Sequence, residues 1–122
     1  MADELVLIVD DNEKNVKLAR DVLRFAGFRT VQAGSGGEAV SLATEHLPDV
    51  ILMDIRLPDM DGTAALRRLR ADGRTARIPV VALTSFAMKG DRERFLAEGF
   101  DGYLEKPISV RELPDQIRSL IS

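Results

Sequence analysis

The sequence predicts an α/β domain in which five parallel strands form one sheet and helices cover both of its faces. Two observations lead to this class. Five short runs rich in apolar residues recur along the 122 residues, and after each run the apolar residues repeat at helical rather than continuous spacing. Continuous apolar runs are typical of strands that are buried on both faces, as they are in a parallel sheet between layers of helices.

The first unit is a strand over residues 5–9 and a helix with one apolar face. Gly27 is placed to end this helix, because glycine readily takes the left-handed conformation found after a helix. The second strand, over residues 30–33, is more polar than the others, so we expect it nearer an edge of the sheet. The apolar face of the first helix contains Val16, Ala19, Val22, Leu23 and Ala26.

The second helix begins with the pattern of a capping box, in which the Ser35 oxygen and the Glu38 carboxylate accept free backbone N–H groups. It runs to about residue 47, where Pro48 prevents its continuation. The third strand covers residues 50–53. A third helix follows Gly62, with Leu66 and Leu69 on its buried side and Gly73 at its predicted end.

The fourth strand covers residues 80–83, and its helix runs from residue 91 to residue 98 and is closed by Gly99. The fifth strand covers residues 103–105. A second capping box, Ser109 to Glu112, opens the fifth helix, and Ile108 and Leu113 flank it as a hydrophobic staple. The buried stripe of this helix contains Leu113, Ile117, Leu120 and Ile121.

One local signal conflicts with that start of the fifth helix. Pro114 would be its fifth residue, where proline loses an amide hydrogen bond and crowds the carbonyl four residues back. Either the first turn is tight and irregular, or the regular helix begins nearer Glu112.

Composition excludes several classes of protein. The 17 Lys and Arg residues against 20 Asp and Glu leave a net charge of -3, which does not indicate a surface for nucleic-acid phosphates. There is no cysteine for a disulfide framework. The start, Met1-Ala2-Asp3-Glu4, is acidic where a signal peptide is basic, and no apolar run approaches the ~20 residues of a membrane span. We therefore expect a cytoplasmic protein without membrane insertion.

Residues suited to phosphoryl chemistry stand where four of the predicted strands end. Asp10 and Asp11 follow the first strand, Asp54 the third, Thr84 the fourth and Lys106 the fifth. The carboxyl ends of parallel strands share one edge of the sheet, and ligands bind there. The sequence therefore predicts three carboxylates, a hydroxyl and an ammonium at one place.

A cluster of this kind is costly as a purely structural feature, although each acid taken singly is explained as well by a polar strand end or a loop cap. Two carboxylates ~4 Å apart repel by about 4 kcal/mol at an effective dielectric near 20, against a total stability of ~5–15 kcal/mol. Lys106 offsets one charge, and a divalent metal ion would offset the remainder. The cluster therefore indicates a functional site.

The strand-end residues follow one another along the chain in an order that is typical of one family. Over its whole length the chain resembles the bacterial response-regulator receiver domains, and most closely the stand-alone receivers of the DivK type. The resemblance implies a flavodoxin-like (βα)5 sheet with strand order 2-1-3-4-5, and a single receiver domain over residues 1–122 with no output domain. It is carried by Asp10-Asp11, Asp54, Leu57-Pro58-Asp59-Met60-Asp61-Gly62, Thr84, Phe86-Ala87-Met88-Lys89-Gly90-Asp91, Tyr103 and Lys106-Pro107.

The resemblance implies that Asp54 accepts a phosphoryl group from the phosphohistidine of another protein. Such a transfer needs an in-line nucleophile and neutralisation of the phosphoryl oxygens, and a carboxylate nucleophile forms an aspartyl phosphate. The implied cofactor is Mg2+, which suits a site of few carboxylates and several waters. In the family pattern Asp11 and Asp54 bind it directly, Asp10 binds it through water, and Arg56 contributes its backbone carbonyl. Apart from catalysing its own phosphorylation and dephosphorylation, such a protein is not an enzyme.

The resemblance implies a switch carried by Thr84 and Tyr103. In the phosphorylated site, Lys106 would pair with one phosphoryl oxygen and the Thr84 hydroxyl would bond another. In the family this hydroxyl moves toward the phosphoryl group while an aromatic residue three positions before the lysine swings inward. Tyr103 has that position and is the only tyrosine in the chain; the alternative is a half-buried ring with its hydroxyl in water. The sequence leaves open whether Tyr103 rotation or movement of the fourth helix transmits the signal.

Two further features follow from the resemblance. The Lys106–Pro107 bond is cis in the family, which turns the chain so that the lysine points into the pocket. Arg56 and Phe86 lie two residues after the acceptor and after the threonine, at positions that tune hydrolysis of the phosphoryl group. Their bulk predicts a comparatively long-lived phosphoryl state, and the alternative is that both are ordinary surface residues.

The implied partners are a sensor histidine kinase or a histidine phosphotransferase, and a downstream protein for which a kinase is one candidate. The family commonly binds downstream partners through the fourth helix, fifth strand and fifth helix, here residues 89–99, 102–105 and 110–121. The run Arg67-Arg68-Leu69-Arg70 is interpreted as a solvated helix face, with docking of an acidic partner as the alternative.

Two other function classes fit less well. A dehalogenase-like phosphohydrolase needs a second acid two residues after its nucleophile, where this chain has Arg56, and it needs a lid for which there is no length. A flavin-binding domain needs a hydroxyl- and glycine-rich loop after the first strand and aromatic platforms. This chain has Asp10-Asp11-Asn12-Glu13 there, which repels anions, and no tryptophan.

Overall fold

Strands and helices alternate strictly along the chain. The computed structural model describes residues 4–84, 89–106 and 108–121. Within them, the longest helix has 13 residues, and none is long and apolar enough to cross a membrane. The elements in chain order are β1 (Leu5–Val9), α1 (Glu13–Phe25), β2 (Arg29–Ala33), α2 (Gly36–His46), β3 (Val50–Asp54), α3 (Gly62–Ala71), β4 (Val80–Thr84), α4 (Asp91–Glu98), β5 (Gly102–Glu105) and α5 (Leu113–Ile121).

The five strands form one parallel sheet in the order β2-β1-β3-β4-β5. This confirms the predicted fold class and strand order, and it places the more polar β2 at an edge, as expected. Every residue of β1, β3 and β4 is buried, because helices cover both faces of the sheet there. Continuous burial is the reason these three strands are apolar throughout rather than alternating.

Two apolar layers hold the helices on the sheet. On one face, side chains such as Leu7 and Met53 pack under α2, α3 and α4. On the other face, Val6 and Leu52 pack under α1 and α5. Adjacent strand residues such as Val6 and Leu7 enter different layers, because successive side chains of a strand point to opposite faces.

The ends of α1 and α2 follow ordinary capping chemistry. Gly27 has a φ of 100° directly after the C-cap of α1, as predicted. At α2, the Ser35 hydroxyl accepts the N–H of Glu38 at 3.2 Å. The reciprocal bond predicted for Glu38 is wrong by one residue, because its carboxylate accepts the N–H of Gly34 at 2.7 Å. Gly34 lies just beyond the last residue of β2, where the strand ladder no longer supplies an acceptor.

The start of α5 resolves the conflict posed by Pro114. The regular helix begins at Leu113, which is the second of the two alternatives, and the Ser109 hydroxyl accepts the N–H of Glu112 at 3.2 Å in the preceding turn. Pro114 is therefore the second helical residue, where the missing N–H is tolerated. Ile108 and Leu113 both reach the apolar layer under α1 and α5.

Helix α3 ends two residues before Gly73, the same spacing that separates the end of α1 from Gly27, but Gly73 does not have a positive φ. The helix ends at Ala71, and Asp72 has an extended conformation with φ -101° and ψ 122°. The Asp72 carboxylate accepts the N–H of Arg74 at 2.9 Å. A side-chain bond to the backbone two residues ahead favours a turn over a further helical residue.

Arg70 is not part of a solvated face, which corrects the interpretation of the arginine run, whereas Arg67 and Arg68 are exposed as expected. The Arg70 guanidinium donates to the carbonyl oxygens of Ala76 (3.1 Å), Ile78 (2.6 Å) and Gly99 (3.2 Å) and to Asp101 Oδ2 (2.8 Å). The Asp101 carboxylate also accepts the N–H of Val80 at 2.8 Å. This set of bonds, here called the Arg70 clamp, joins the end of α3 to the start of β4 and to the α4–β5 connection.

Candidate functional site

The predicted site residues lie at the carboxyl edge of the sheet. Asp54 and Thr84 are the last residues of β3 and β4, and Asp10 and Lys106 directly follow β1 and β5. These four side chains and Asp11 line one cavity of about 230 Å3. The structure thus brings together all five residues that the strand ends singled out.

Backbone hydrogen bonds fix these side chains relative to one another. The Asp10 N–H donates to the Ala33 carbonyl at 3.1 Å, one residue beyond the end of β1. The Lys106 N–H donates to the Thr84 carbonyl at 2.8 Å, one residue beyond the end of β5. The site residues are therefore placed by the sheet ladder itself, which is more rigid than a loop.

The ammonium group of Lys106 lies between two carboxylates. It is 2.7 Å from Asp10 Oδ2 and 3.1 Å from Asp54 Oδ2, and the three side chains are only 9%, 2% and 10% exposed. The other carboxylate oxygens accept backbone N–H groups, that of Asn12 on Asp10 at 2.9 Å and that of Arg56 on Asp54 at 3.2 Å. Each buried carboxylate thus has partners on both of its oxygens.

The site favours the charged form of Lys106 and disfavours the charged form of Asp54. Burial raises the pKa of Asp54, and the negative charge of Asp10 adds to this effect, while the Lys106 ammonium opposes it. Burial lowers the pKa of Lys106, but hydrogen bonds and charge attraction from Asp10 and Asp54 outweigh burial, so the net pKa is raised. A further cation at this site would therefore stabilise the ionised form of Asp54.

The three acids lie close enough together to hold one metal ion. One oxygen from each of Asp10, Asp11 and Asp54 lies within 4.8 Å of the others, with Asp11 exposed at the mouth of the cavity. One lysine against three acids leaves an excess of two negative charges. Hard oxygen donors around an open position suit Mg2+, which retains several waters when bound. The residues present therefore fit the implied ion, and Arg56 lines the same cavity.

Thr84 and Tyr103 lie in different surroundings. Thr84 lines the site cavity and is nearly buried. The Tyr103 ring instead stacks on Phe95, with centroids 5.8 Å apart and an angle of 22° between the rings. Its hydroxyl is buried without a hydrogen-bond partner among the described residues, so the alternative with this hydroxyl in water is wrong. Burial raises the pKa of Tyr103, and the nearby charges of Asp91 and Glu105 add to the effect.

Some predicted residues lie outside the described part of the chain. Phe86 and Pro107 are among them, so the tuning role of Phe86 and the cis Lys106–Pro107 bond stay predictions. Asn12 and Asn15 also line the cavity but were not among the predicted site residues. Asn12 also caps α1 by accepting the N–H groups of Lys14 and Asn15, and a polar residue directly before a helical pattern is the signal that identifies such a cap.

Comparison with known proteins gives a consistent result. A family model described as the response regulator receiver domain matches residues 6–118. The polar-differentiation response regulators DivK of Brucella ovis and Brucella anthropi are each 47% identical over 116 residues, which covers 95% of this chain and 94% of theirs.

Solved structures extend the likeness to three dimensions. The receiver domain of a sensor histidine kinase from Pseudomonas aeruginosa PAO1, described with a magnesium ion coordinated in its active site cleft, is 39% identical with a TM-score of 0.89 and 98% of both chains covered. The chemotaxis protein CheY4 of Vibrio cholerae is 27% identical with a TM-score of 0.89, covering 98% of this chain and 99% of that one.

Proposed function

Because this chain belongs to the response regulator receiver domain family, we propose that it accepts a phosphoryl group on Asp54 and passes the signal on by a change in partner binding. The family places it in two-component signalling. The observation that carries the proposal is the Lys106 ammonium held between Asp10 and Asp54 inside an acidic cavity. Burial, together with the negative charge of Asp10, outweighs the Lys106 ammonium and raises the pKa of Asp54, so a further cation would favour its ionised form.

In the proposed reaction, an oxygen of the Asp54 carboxylate attacks the phosphorus of a phosphohistidine. The bond from phosphorus to the ring nitrogen breaks, and its electron pair stays on the imidazole, which takes a proton from solvent. The Lys106 ammonium lies 3.1 Å from one Asp54 oxygen, so it is close enough to pair with an oxygen of the incoming group. Thr84 lines the same cavity, and its hydroxyl would donate a hydrogen bond to a second oxygen of the phosphoryl group.

Asp10, Asp11 and Asp54 would hold Mg2+, together with the backbone carbonyl of Arg56. When bound, this ion neutralises charge on the phosphoryl oxygens. The magnesium ion in the cleft of the Pseudomonas receiver supports this assignment. In the absence of a phosphoryl group, the same acids would be stabilised by the ion because it offsets their mutual repulsion.

The proposed output surface is formed by α4, β5 and α5. A cleft of about 650 Å3 opens there between Lys89, Tyr103, Glu105 and Gln116. Tyr103 lies between this cleft and the core, and it is the proposed switch residue together with Thr84. A histidine kinase or histidine phosphotransferase is the proposed phosphodonor, and a protein such as a kinase is the proposed recipient of the signal. We place these events in the cytoplasm.

Arg56 and Phe86 are proposed to slow the loss of the phosphoryl group. The Arg56 side chain is exposed beside the cavity, where its bulk would hinder an attacking water. Replacing both residues by alanine should shorten the lifetime of the phosphorylated state. Unchanged dephosphorylation in that variant would remove this part of the proposal.

The function is tested by intact mass after incubation with Mg2+ and acetyl phosphate. We expect a single phosphoryl adduct on the wild type, and none on Asp54→Asn or in the presence of a chelator. Asp21→Asn is the matched control, because Asp21 is an exposed carboxylate on α1 that pairs with Lys17. An adduct that persists on Asp54→Asn would contradict the assignment of the acceptor.

A further inference from the structure

The loop between β3 and α3 is closed at its base against the acceptor. The Gly62 N–H donates to the Ile55 carbonyl at 2.7 Å, and Arg56 and Asp61 form an antiparallel bridge. A Cβ at position 62 would lie 2.6 Å from the carbonyl oxygen of Asp54, closer than real Cβ atoms approach. The start of α3 therefore packs directly on the backbone of Asp54, and only glycine allows this approach.

The tip of the same loop is fastened to a different helix. Asp59 Oδ1 accepts the N–H of Gly36 at 2.8 Å, and Asp59 Oδ2 accepts the N–H of Gly37 at 2.9 Å. These are the first two residues of α2. Met60 lies over Gly36, where a Cβ would be 2.4 Å from the Met60 side chain. Polar and apolar contacts thus hold the loop at the N-terminus of α2.

Arg56 lies between these two attachments. Its N–H donates to Asp54 Oδ1, and the residue lines the site cavity. The Gly37 and Gly36 N–H groups lower the pKa of Asp59, so the carboxylate remains a two-oxygen acceptor at neutral pH. The chain is thus held on either side of Arg56, at Ile55 by the N–H of Gly62 and at Asp59 by the first turn of α2.

We propose that Asp59 is a positioning residue for the metal site: by fastening the loop to the first turn of α2, it holds the Arg56 backbone toward Asp54. This inference rests on the proposed function, in which the Arg56 carbonyl contributes to Mg2+ binding. Asp59 itself touches neither the ion nor the phosphoryl group. The Arg56 carbonyl belongs to the backbone, so its position depends on the conformation of the loop. Asp59 restricts that conformation.

The test compares Asp59→Ala and Asp59→Asn with the wild type. Asp59→Ala removes both acceptors, whereas Asp59→Asn retains one. Asp72→Asn is the matched control, because Asp72 also accepts a backbone N–H, that of Arg74 at 2.9 Å. It lies at the far end of α3, about 15 Å along the helix from Gly62.

Two measurements separate the inference from the proposed function. In metal-free protein, the Arg56 amide signal in a 1H–15N NMR spectrum should move in Asp59→Ala and stay in place in Asp72→Asn. In a Mg2+ titration by calorimetry, the Kd of Asp59→Ala should rise about tenfold, as for residues that orient metal ligands. Asp59→Asn should lie between, and Asp72→Asn should stay within about twofold.

The outcomes are distinguishable. A metal-free Arg56 signal and a Mg2+ Kd that both match the wild type in Asp59→Ala overturn the inference, even if the variant melts at a lower temperature. Wild-type protein that binds no Mg2+ overturns the metal part of the proposed function instead. A displaced Arg56 signal with an unchanged Kd also overturns the inference, because Asp59 would then shape the loop without serving the metal site.

Discussion

Replacing Lys106 by methionine removes the ammonium that separates Asp10 from Asp54 while keeping a side chain of similar length. At an effective dielectric near 20, the 2.7 Å and 3.1 Å contacts correspond to about 6 and 5 kcal/mol of attraction. Much of this is offset by the cost of burying the ammonium, and removing one partner of a buried pair costs about 3–5 kcal/mol in total. For a domain of this size, a loss of ~3 kcal/mol lowers Tm by roughly 10 °C.

The same variant should bind Mg2+ more tightly, because the cluster gains one unit of net negative charge. Even at the dielectric of bulk water, a unit charge about 6 Å from a divalent ion contributes ~1.4 kcal/mol, which is about tenfold in Kd. The assay is thermal melting of Lys106→Met in chelator and in Mg2+, with calorimetry for the Kd.

The control for this variant is Lys17→Met, which removes an exposed ion pair with Asp21 and should change the free energy of unfolding by less than about 1 kcal/mol. Lys106→Met protein that melts like the wild type in chelator, or that gains less stability from Mg2+ than the wild type does, would refute the electrostatic reasoning.

Three further variants test other parts of the structure. Without metal, Asp54→Asn should stabilise the protein, because the pKa of Asp54 is raised in the folded state. The stability that protonated Asp54 contributes to the wild type is present below the ordinary carboxyl pKa and is lost as pH rises through the raised pKa. In urea unfolding, the free energy of unfolding of Asp54→Asn should therefore increasingly exceed that of the wild type over this pH range. Arg70→Met should lower the free energy of unfolding by about 1–3 kcal/mol, because it leaves the part-buried carbonyl oxygens of Ala76 and Ile78 without this donor. Arg67→Met is the exposed control, and it should change the free energy of unfolding by about 0.5 kcal/mol or less. Tyr103→Phe should raise the free energy of unfolding by about 1 kcal/mol and Tm with it, because the hydroxyl is buried without a hydrogen-bond partner among the described residues. A lower Tm would contradict that placement of the hydroxyl.

The strands and their ends were predictable because their signals are local. β1, β3 and β4 are buried along their whole length, so the pattern of apolar residues reports their position directly. The parallel arrangement then brings Asp10, Asp54 and Thr84 to one edge without any knowledge of the side-chain packing. This is why these residues of the cavity could be predicted from the sequence in this way, although Asn12 and Asn15 could not.

The features that were missed depend on partners far along the chain. Asp59 bonds to amides 22 and 23 residues earlier, and Arg70 bonds to Asp101 across 31 residues. Neither spacing leaves a periodic trace, so Arg70 was indistinguishable from the exposed arginines beside it. The extended conformation of Asp72 at the end of α3 is accompanied instead by a local bond, from the N–H of Arg74 two residues ahead.

The Arg70 clamp also fastens one end of α4 to α3. Near the end of the helix, the Gly99 carbonyl accepts from Arg70 at 3.2 Å and the Glu98 carboxylate accepts from the Thr63 hydroxyl at 2.9 Å. At the opposite end the N-cap is Gly90, which has no side chain with which to cap the helix. The eight residues of α4 span about 12 Å, so a rotation of about 10° around the Gly99 end would move the Gly90 end by roughly 2 Å. A partner bound beside Gly90 would therefore meet a surface displaced by the rotation of α4. A partner bound beside Gly99 would meet a surface that hardly moves.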